Sequence, residues 1–157
     1  MSKTNHSTQK ESKKRSHPFW RWFWLTFLVL SLSYAWYSFY VPSNDIAWAS
    51  DFTSAKNMSK ESNKNILIFF TGKWCAPCRI MKREVFADEE VMEIINSEVV
   101  SVIIDIDDPS SSELVKQYKI NITPTTIIID PQGKMLEYIT GKIEKDEFLK
   151  MLDKHKK

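Results

Sequence analysis

The apolar positions along the chain change period several times, and each change predicts an element. From Trp22 to Val41, WFWLTFLVLSLSYAWYSFYV, no residue is charged. A helix rising about 1.5 Å per residue needs about twenty such residues to cross the bilayer hydrocarbon. Phe19, Trp20, Trp22, Phe23 and Trp24 crowd one end of this run and Tyr34, Trp36, Tyr37, Phe39 and Tyr40 the other, as amphipathic rings at two membrane interfaces would. VPSND (41–45) then reads as a linker of turn formers.

Beyond the linker the apolar runs are shorter. NILIFF (65–70), VVSVIID (99–105) and TTIIID (125–130) are nearly unbroken and rich in Ile, Val and Phe, the pattern of strands buried on both faces. Asp51 is placed to cap a helix running to about Asn63, with Phe52, Ala55 and Met58 on one face. Helical spacing returns from Cys75 to about Asn96 through Ile80, Met81, Val85, Val91, Ile94 and Ile95. Asp88 followed by Glu89 and Glu90 predicts a break near Phe86 and a second helix from Asp88. A further helix fits from Pro109 or Ser112 to Tyr118. DPQG (130–133) has the residue order of a type I turn, so TTIIID and KMLEYIT should form a hairpin. A closing helix from Glu144 to Lys154 would turn Ile143, Phe148, Leu149 and Leu152 inward. The resulting order predicts an α/β fold with a mixed central sheet flanked by helices on both faces, parallel in its first half and antiparallel at the closing hairpin.

Composition and charge divide the chain further. At 157 residues and 43% hydrophobic, one domain plus an appendage is expected. The formal charge is +2, but Lys3, Lys10, Lys13, Lys14, Arg15 and Arg21 precede position 41 against the single acid Glu11. The body is therefore net acidic and offers no electrostatic case for nucleic acid. Residues 1–18 are polar and basic and read as a disordered cytoplasmic tail. Residues 19–41 read as a transmembrane signal-anchor, and residues 42–157 as the domain. The positive-inside rule keeps the tail in the cytoplasm and sends the domain across the membrane. Ala47-Trp48-Ala49 supports a competing reading, a signal peptide cleaved to release a soluble exported domain.

Cys75 and Cys78 are the two cysteines of the chain. A staple closing so short a loop removes little entropy from the unfolded chain. A structural zinc site wants four ligands, and His6, His17 and His155 are not placed to supply them, although a two-ligand Cu(I) site shared with a partner stays open. As a redox pair they fit well. A helix starting just after Trp74 puts Cys75 at its N-terminus, where free backbone N–H groups favour a thiolate, and Lys73 and Arg79 add positive charge. Cys78, one turn later, lies on the same helical face at a separation compatible with a disulfide. Cys75 would attack a substrate disulfide and Cys78 would resolve the mixed disulfide, while Trp74 and Pro77 shield the site and fix the turn.

WCAPC after an apolar strand, ITPT before another, and Gly133 and Gly141 in the last hairpin together resemble the thioredoxin family, over roughly Trp48 to Leu152. TGKWCAPCRIMKREVF and DEEVMEIIN resemble the branch that includes the C-terminal domain of the membrane reductase DsbD, and the membrane-anchored periplasmic oxidoreductases of the DsbH type. The resemblance implies that Thr123-Pro124 is a cis peptide facing Cys75, with the Thr123 backbone pairing with an extended substrate. It also marks a departure: many members carry a buried acid six residues before the first cysteine, where this chain has Phe69. The loop between the cysteines holds Ala76 and Pro77 and no side-chain donor, which argues for a reducing potential. The expected activity is reduction of disulfides in exported proteins by a monomer with no cofactor beyond a redox-active Cys75–Cys78 disulfide, re-reduced by a DsbD-like membrane donor. Disulfide isomerase or oxidase activity, and a non-catalytic client-binding or chaperone module, are the alternatives.

Overall fold

The structure is a computed structural model that describes residues 18–156. The chain divides into two compact units after Phe39. The predicted basic tail lies outside the described residues up to position 17. Pro18 opens helix α1 (Pro18–Phe39), an unbroken helix of 22 residues, with proline where its missing N–H costs nothing. Trp22, Leu25, Val29, Leu30, Leu32 and Trp36 are all exposed, so the helix is apolar on every side and has no stripe facing a core. Thr26 keeps its hydroxyl satisfied by donating to the Trp22 carbonyl at 3.1 Å, one turn back. Among the described residues no helix is long and apolar enough to cross a membrane; in α1 the Trp, Tyr, Ser and Thr residues dilute the aliphatic ones.

The second unit contains β1 (Trp48–Ala49), α2 (Phe52–Ser62), β2 (Asn65–Thr71), α3 (Ala76–Glu84), α4 (Glu89–Glu98) and β3 (Val99–Asp105). A 3₁₀ turn (Pro109–Ser111) then leads into α5 (Ser112–Gln117), β4 (Thr125–Ile129), β5 (Met135–Thr140) and α6 (Lys145–His155). The strands form one sheet in the order β1-β3-β2-β4-β5. β2 is parallel to β3 and antiparallel to β4, and β4 is antiparallel to β5. The two halves thus have the senses predicted from the sequence.

β2 sits at the centre and is buried along its whole length. Because successive side chains point to opposite faces, its run of apolar residues feeds two cores. Ile66, Ile68 and Phe70 pack with Val100, Val102, Ile104, Ile127 and Ile129 beneath Ala55 and Tyr118. Leu67 and Phe69 pack with Met81, Phe86, Val91, Ile95, Phe148 and Leu152. Phe86 occupies the bend between α3 and α4 where the break was expected. Its ring meets Phe69 at 4.8 Å, Trp48 at 5.4 Å and Phe148 at 5.5 Å, each in an edge-on arrangement. Asp88 caps α4 by accepting from the Glu90 and Val91 amides, satisfying donors the helix leaves free.

Three expectations need correction. Met58 does not face inward: α2 buries Ala55 and Ser59, and Met58 is exposed. The buried Ser59 is tolerated because its hydroxyl donates to the Lys64 carbonyl. The sequence reading also passes over β1, whose two residues pair in parallel with Ser101 and Val102; so short a strand leaves no periodic pattern. That strand is fastened by Asn96 of α4, which accepts from the Ala47 amide at 2.9 Å and donates to the Asp45 carbonyl at 3.0 Å. Finally, the closing helix runs past Lys154 to His155. The Nε2 of His155 lies 2.9 Å from Glu137 on β5.

Candidate active site

The chain leaves the C-terminal end of β2 through Gly72, Lys73 and Trp74 and turns into α3 at Cys75. The turn is held from the neighbouring strand: Asp107, just past β3, accepts from the Lys73 amide at 2.7 Å. At Gly72 a Cβ would come within 3.3 Å of that same carboxylate oxygen, so a larger residue would press the carboxylate back by a few tenths of an ångström. Pro77 lies in the first turn of α3, where a proline loses no helical hydrogen bond.

Cys75 is the N-cap of α3. Its Sγ accepts from the Cys78 amide at 3.1 Å, filling the role an Asp or Ser oxygen usually plays. Cys75 and Cys78 are joined as a disulfide with a Cα separation of 5.2 Å, within the range such bridges span. Cys75 is 8% exposed and Cys78 only 1%. Both residues are thus buried, Cys75 slightly less completely than Cys78.

The register places the remaining site residues. Phe70 of β2 pairs with Thr125 of β4, so Thr123 and Pro124 lie at the sheet edge from which the cysteine loop departs. The Thr123–Pro124 bond is cis. The Pro124 carbonyl accepts from the Gly141 amide at 2.8 Å, and the Ile122 carbonyl accepts from the Thr125 hydroxyl at 2.7 Å. The loop is thus tied at two points. Trp74 is 87% exposed; its ring stands in solvent and does not shield the sulfurs as expected. With the exposed Ile122 it supplies apolar surface near the pair.

The charges differ from those anticipated. Beside Lys73 and Arg79, the end of β3 and the turn after it bring Asp105, Asp107 and Asp108 to the same end of the sheet. Asp108 has its carboxyl held below the usual range by bonds from the Ser110 amide and hydroxyl, with a smaller contribution from the Lys73 charge. Lys82, one turn beyond Cys78, has its ammonium pKa pushed down by partial burial, an effect that the nearby Asp105 opposes. Phe69 is fully buried against Phe86 and provides no titratable group. Sequence reasoning missed Asp107, whose only signal was its place in an acidic turn, and Thr126. Thr126 is fully buried opposite Phe69, and its hydroxyl has no hydrogen-bond partner.

The profile of the thioredoxin-like domain matches residues 52–156. The chain belongs to the thioredoxin-like family. Thioredoxin H3 of Arabidopsis thaliana is 33% identical to this thioredoxin-like chain over 106 residues, covering 68% of it and 83% of the plant protein. The thiol:disulfide interchange protein DsbD of Pseudomonas fluorescens is 24% identical over 103 residues, 64% of this chain but 18% of that much longer protein. The solved structure of a DsbH oxidoreductase superposes with a TM-score of 0.61 at 21% identity and covers 94% of both chains. Family membership and the Cys75–Cys78 disulfide make this thioredoxin-like protein a thiol-disulfide oxidoreductase.

Proposed function

We propose that the domain is an exported disulfide reductase in which Cys75 is the nucleophile and Cys78 the resolving thiol. The observation that carries this reading is the contrast between the two sulfurs. Cys75 is the more exposed and accepts an amide at a helix N-terminus, an environment that stabilises a thiolate, while Cys78 is enclosed. In the reduced protein the Cys75 thiolate attacks a substrate disulfide, R–S–S–R′, forming Cys75–S–S–R and releasing R′S⁻. Cys78 then attacks the Cys75 sulfur, RS⁻ leaves and takes up a proton, and two electrons have passed from the dithiol to the substrate. Thr123 would pair through its backbone with an extended substrate, Pro124 beside it, and Trp74 would add apolar contact.

The reducing direction rests on Ala76 and Pro77, which give the thiolate no side-chain donor, and on the acids at Asp105, Asp107 and Asp108, which disfavour extra negative charge nearby. Similarity to DsbD proteins supports a periplasmic location and a DsbD-like membrane protein as electron donor. Helix α1 is the anchor in this reading, its dense aromatic surface taking the place of the aliphatic content in which it falls short of an ordinary span. A helix apolar on all sides has no core to join within its own length, and its terminal aromatic rings suit the two interfaces. Cleavage at Ala47-Trp48-Ala49 would cut through β1 and remove strand pairing with β3, which favours retention of the anchor.

The test is trapping with full-length Cys78→Ala in the exported compartment, combined with the redox potential of the full-length protein. The expected result is mixed disulfides on Cys75 with exported proteins and a DsbD-like protein, and a potential near thioredoxin's, about −270 mV. A potential near −120 mV, that of the oxidant DsbA, would make the protein an oxidase. Insulin reduction that survives Cys75→Ser would overturn the assignment of Cys75 as nucleophile.

A further inference from the structure

Resolution of the mixed disulfide requires Cys78 to lose its proton in a mainly apolar core, where the buried polar side chains on the same face are Asn65, Thr71, Ser101 and Thr126. Strand register orders that face. Ile103, Phe69, Thr126 and Ile139 are consecutive partners across β3, β2, β4 and β5, so they form one row on one face. Phe69, Ile103 and Ile139 all pack in the core that contains Cys75 and Cys78. Within this row the Thr126 hydroxyl is the polar group, and it is fully buried with no hydrogen-bond partner.

A buried hydroxyl left unpaired costs about 1–3 kcal/mol, which a hydrogen bond formed during turnover would offset. Its neighbour Thr125, on the other face, is satisfied by the Ile122 carbonyl. The charged groups on the cysteine face lie away from the row. Asp105 ends β3 opposite Thr71 and interacts with Lys82 of α3. Arg83 of α3 pairs with Glu84. Glu137 of β5 is held by Lys154 and His155 of α6. None of them shares the row of Phe69. When the disulfide opens, Cys78 becomes a sulfur that can accept a hydrogen bond.

We propose that the Thr126 hydroxyl is the donor that stabilises the Cys78 thiolate during resolution, directly or through one buried water. The Cys78 S–H bond breaks, its sulfur forms a bond to Cys75 Sγ, and the bond from Cys75 Sγ to the substrate sulfur breaks with the electron pair leaving on RS⁻. That thiolate takes up the proton. Thr126 remains a hydroxyl throughout and acts by lowering the cost of negative charge in apolar surroundings, which otherwise raise a thiol's pKa.

The experiment follows the reaction of reduced full-length protein with an aromatic disulfide, 5,5′-dithiobis(2-nitrobenzoate), across pH 5–10. The first thionitrobenzoate released reports attack by Cys75 and the second reports resolution by Cys78. Thr126→Val should leave the first phase unchanged, slow the second about tenfold at pH 7 and move its midpoint up by about one pH unit, the effect of one hydrogen bond to a charged group. Thr126→Ser should restore most of the rate, and Thr126→Ala, which does not depend on Val packing, should behave as Thr126→Val. An unmoved second phase in Thr126→Val and Thr126→Ala overturns the proposal. So does a second phase moved instead by Lys82→Met or Asp105→Asn, and so does a Thr126→Ser variant as slow as Thr126→Val. Absence of the first phase in the unsubstituted protein would instead refute the dithiol reading on which this inference rests.

Discussion

On one face of the sheet Ile66, Ile68 and Phe70 meet Ile127 and Ile129 in a mainly aliphatic layer. On the other, Leu67 and Phe69 meet the rings of Phe86 and Phe148 and the disulfide. The same strands build both faces, and Thr125 and Thr126 mark how they differ. Thr125 belongs to the aliphatic side and is hydrogen-bonded, whereas Thr126 belongs to the disulfide side and is not. On the aliphatic face the buried Thr125 hydroxyl is paired within the protein. The face that carries chemistry keeps a donor for a charge that appears only during turnover.

The strongest way to break this contrast is to truncate one residue on each face. Phe86→Ala should cost about 3–5 kcal/mol in urea unfolding and also lower reductase activity per folded molecule, because Phe86 braces Phe69 in the core that holds the cysteines. Ile127→Ala should cost about 2–5 kcal/mol with activity per folded molecule unchanged. Equal losses of specific activity in the two variants would show that the faces are not functionally distinct.

A smaller effect is expected at Thr125. Thr125→Val removes a bond worth about 1 kcal/mol and frees one of the two ties on the Thr123–Pro124 loop. Stability should fall by about that amount while KM for a disulfide peptide rises more than kcat changes. At Thr126 the same substitution should act on resolution and leave KM alone.

The smallest effect tests the aliphatic side by pH. Asp51 caps α2, which packs on that face, and bonds from the Ser54 amide and hydroxyl, with a further one from Ser50, lower its pKa from 3.8 to about 2. A carboxyl with a depressed folded pKa stabilises the fold above its unfolded value, and the contribution disappears as pH falls through the folded value. The urea midpoint difference between the protein and Asp51→Ala should therefore be constant above about pH 5 and fall progressively between about pH 5 and pH 1. Reductase activity at pH 7 should be the same in both.

The fold was legible in the sequence wherever several residues agreed. NILIFF, VVSVIID and TTIIID are long enough to force a central sheet, and Asp88 with Glu89 and Glu90 marks the α3–α4 boundary. Met58 misled because a methionine at helical spacing looks inward, while the small Ser59 fits closer to the sheet. β1 was invisible because two residues have no period. The cysteines were legible through their spacing and setting. Asp107 and Thr126 were not, since each is defined by a partner distant in sequence: the Lys73 amide for one and Phe69 for the other.

The bond from the Gly141 amide to the Pro124 carbonyl has a practical consequence. Gly141 is one of three glycines in the chain, and its amide proton reports on whether the Thr123–Pro124 loop stays tied. Its rate of exchange with deuterium follows how often that loop lets go. If substrate adds its own backbone bonds beside Pro124, occupancy should slow exchange at Gly141, giving a residue-level gauge of client binding that needs no label on the client.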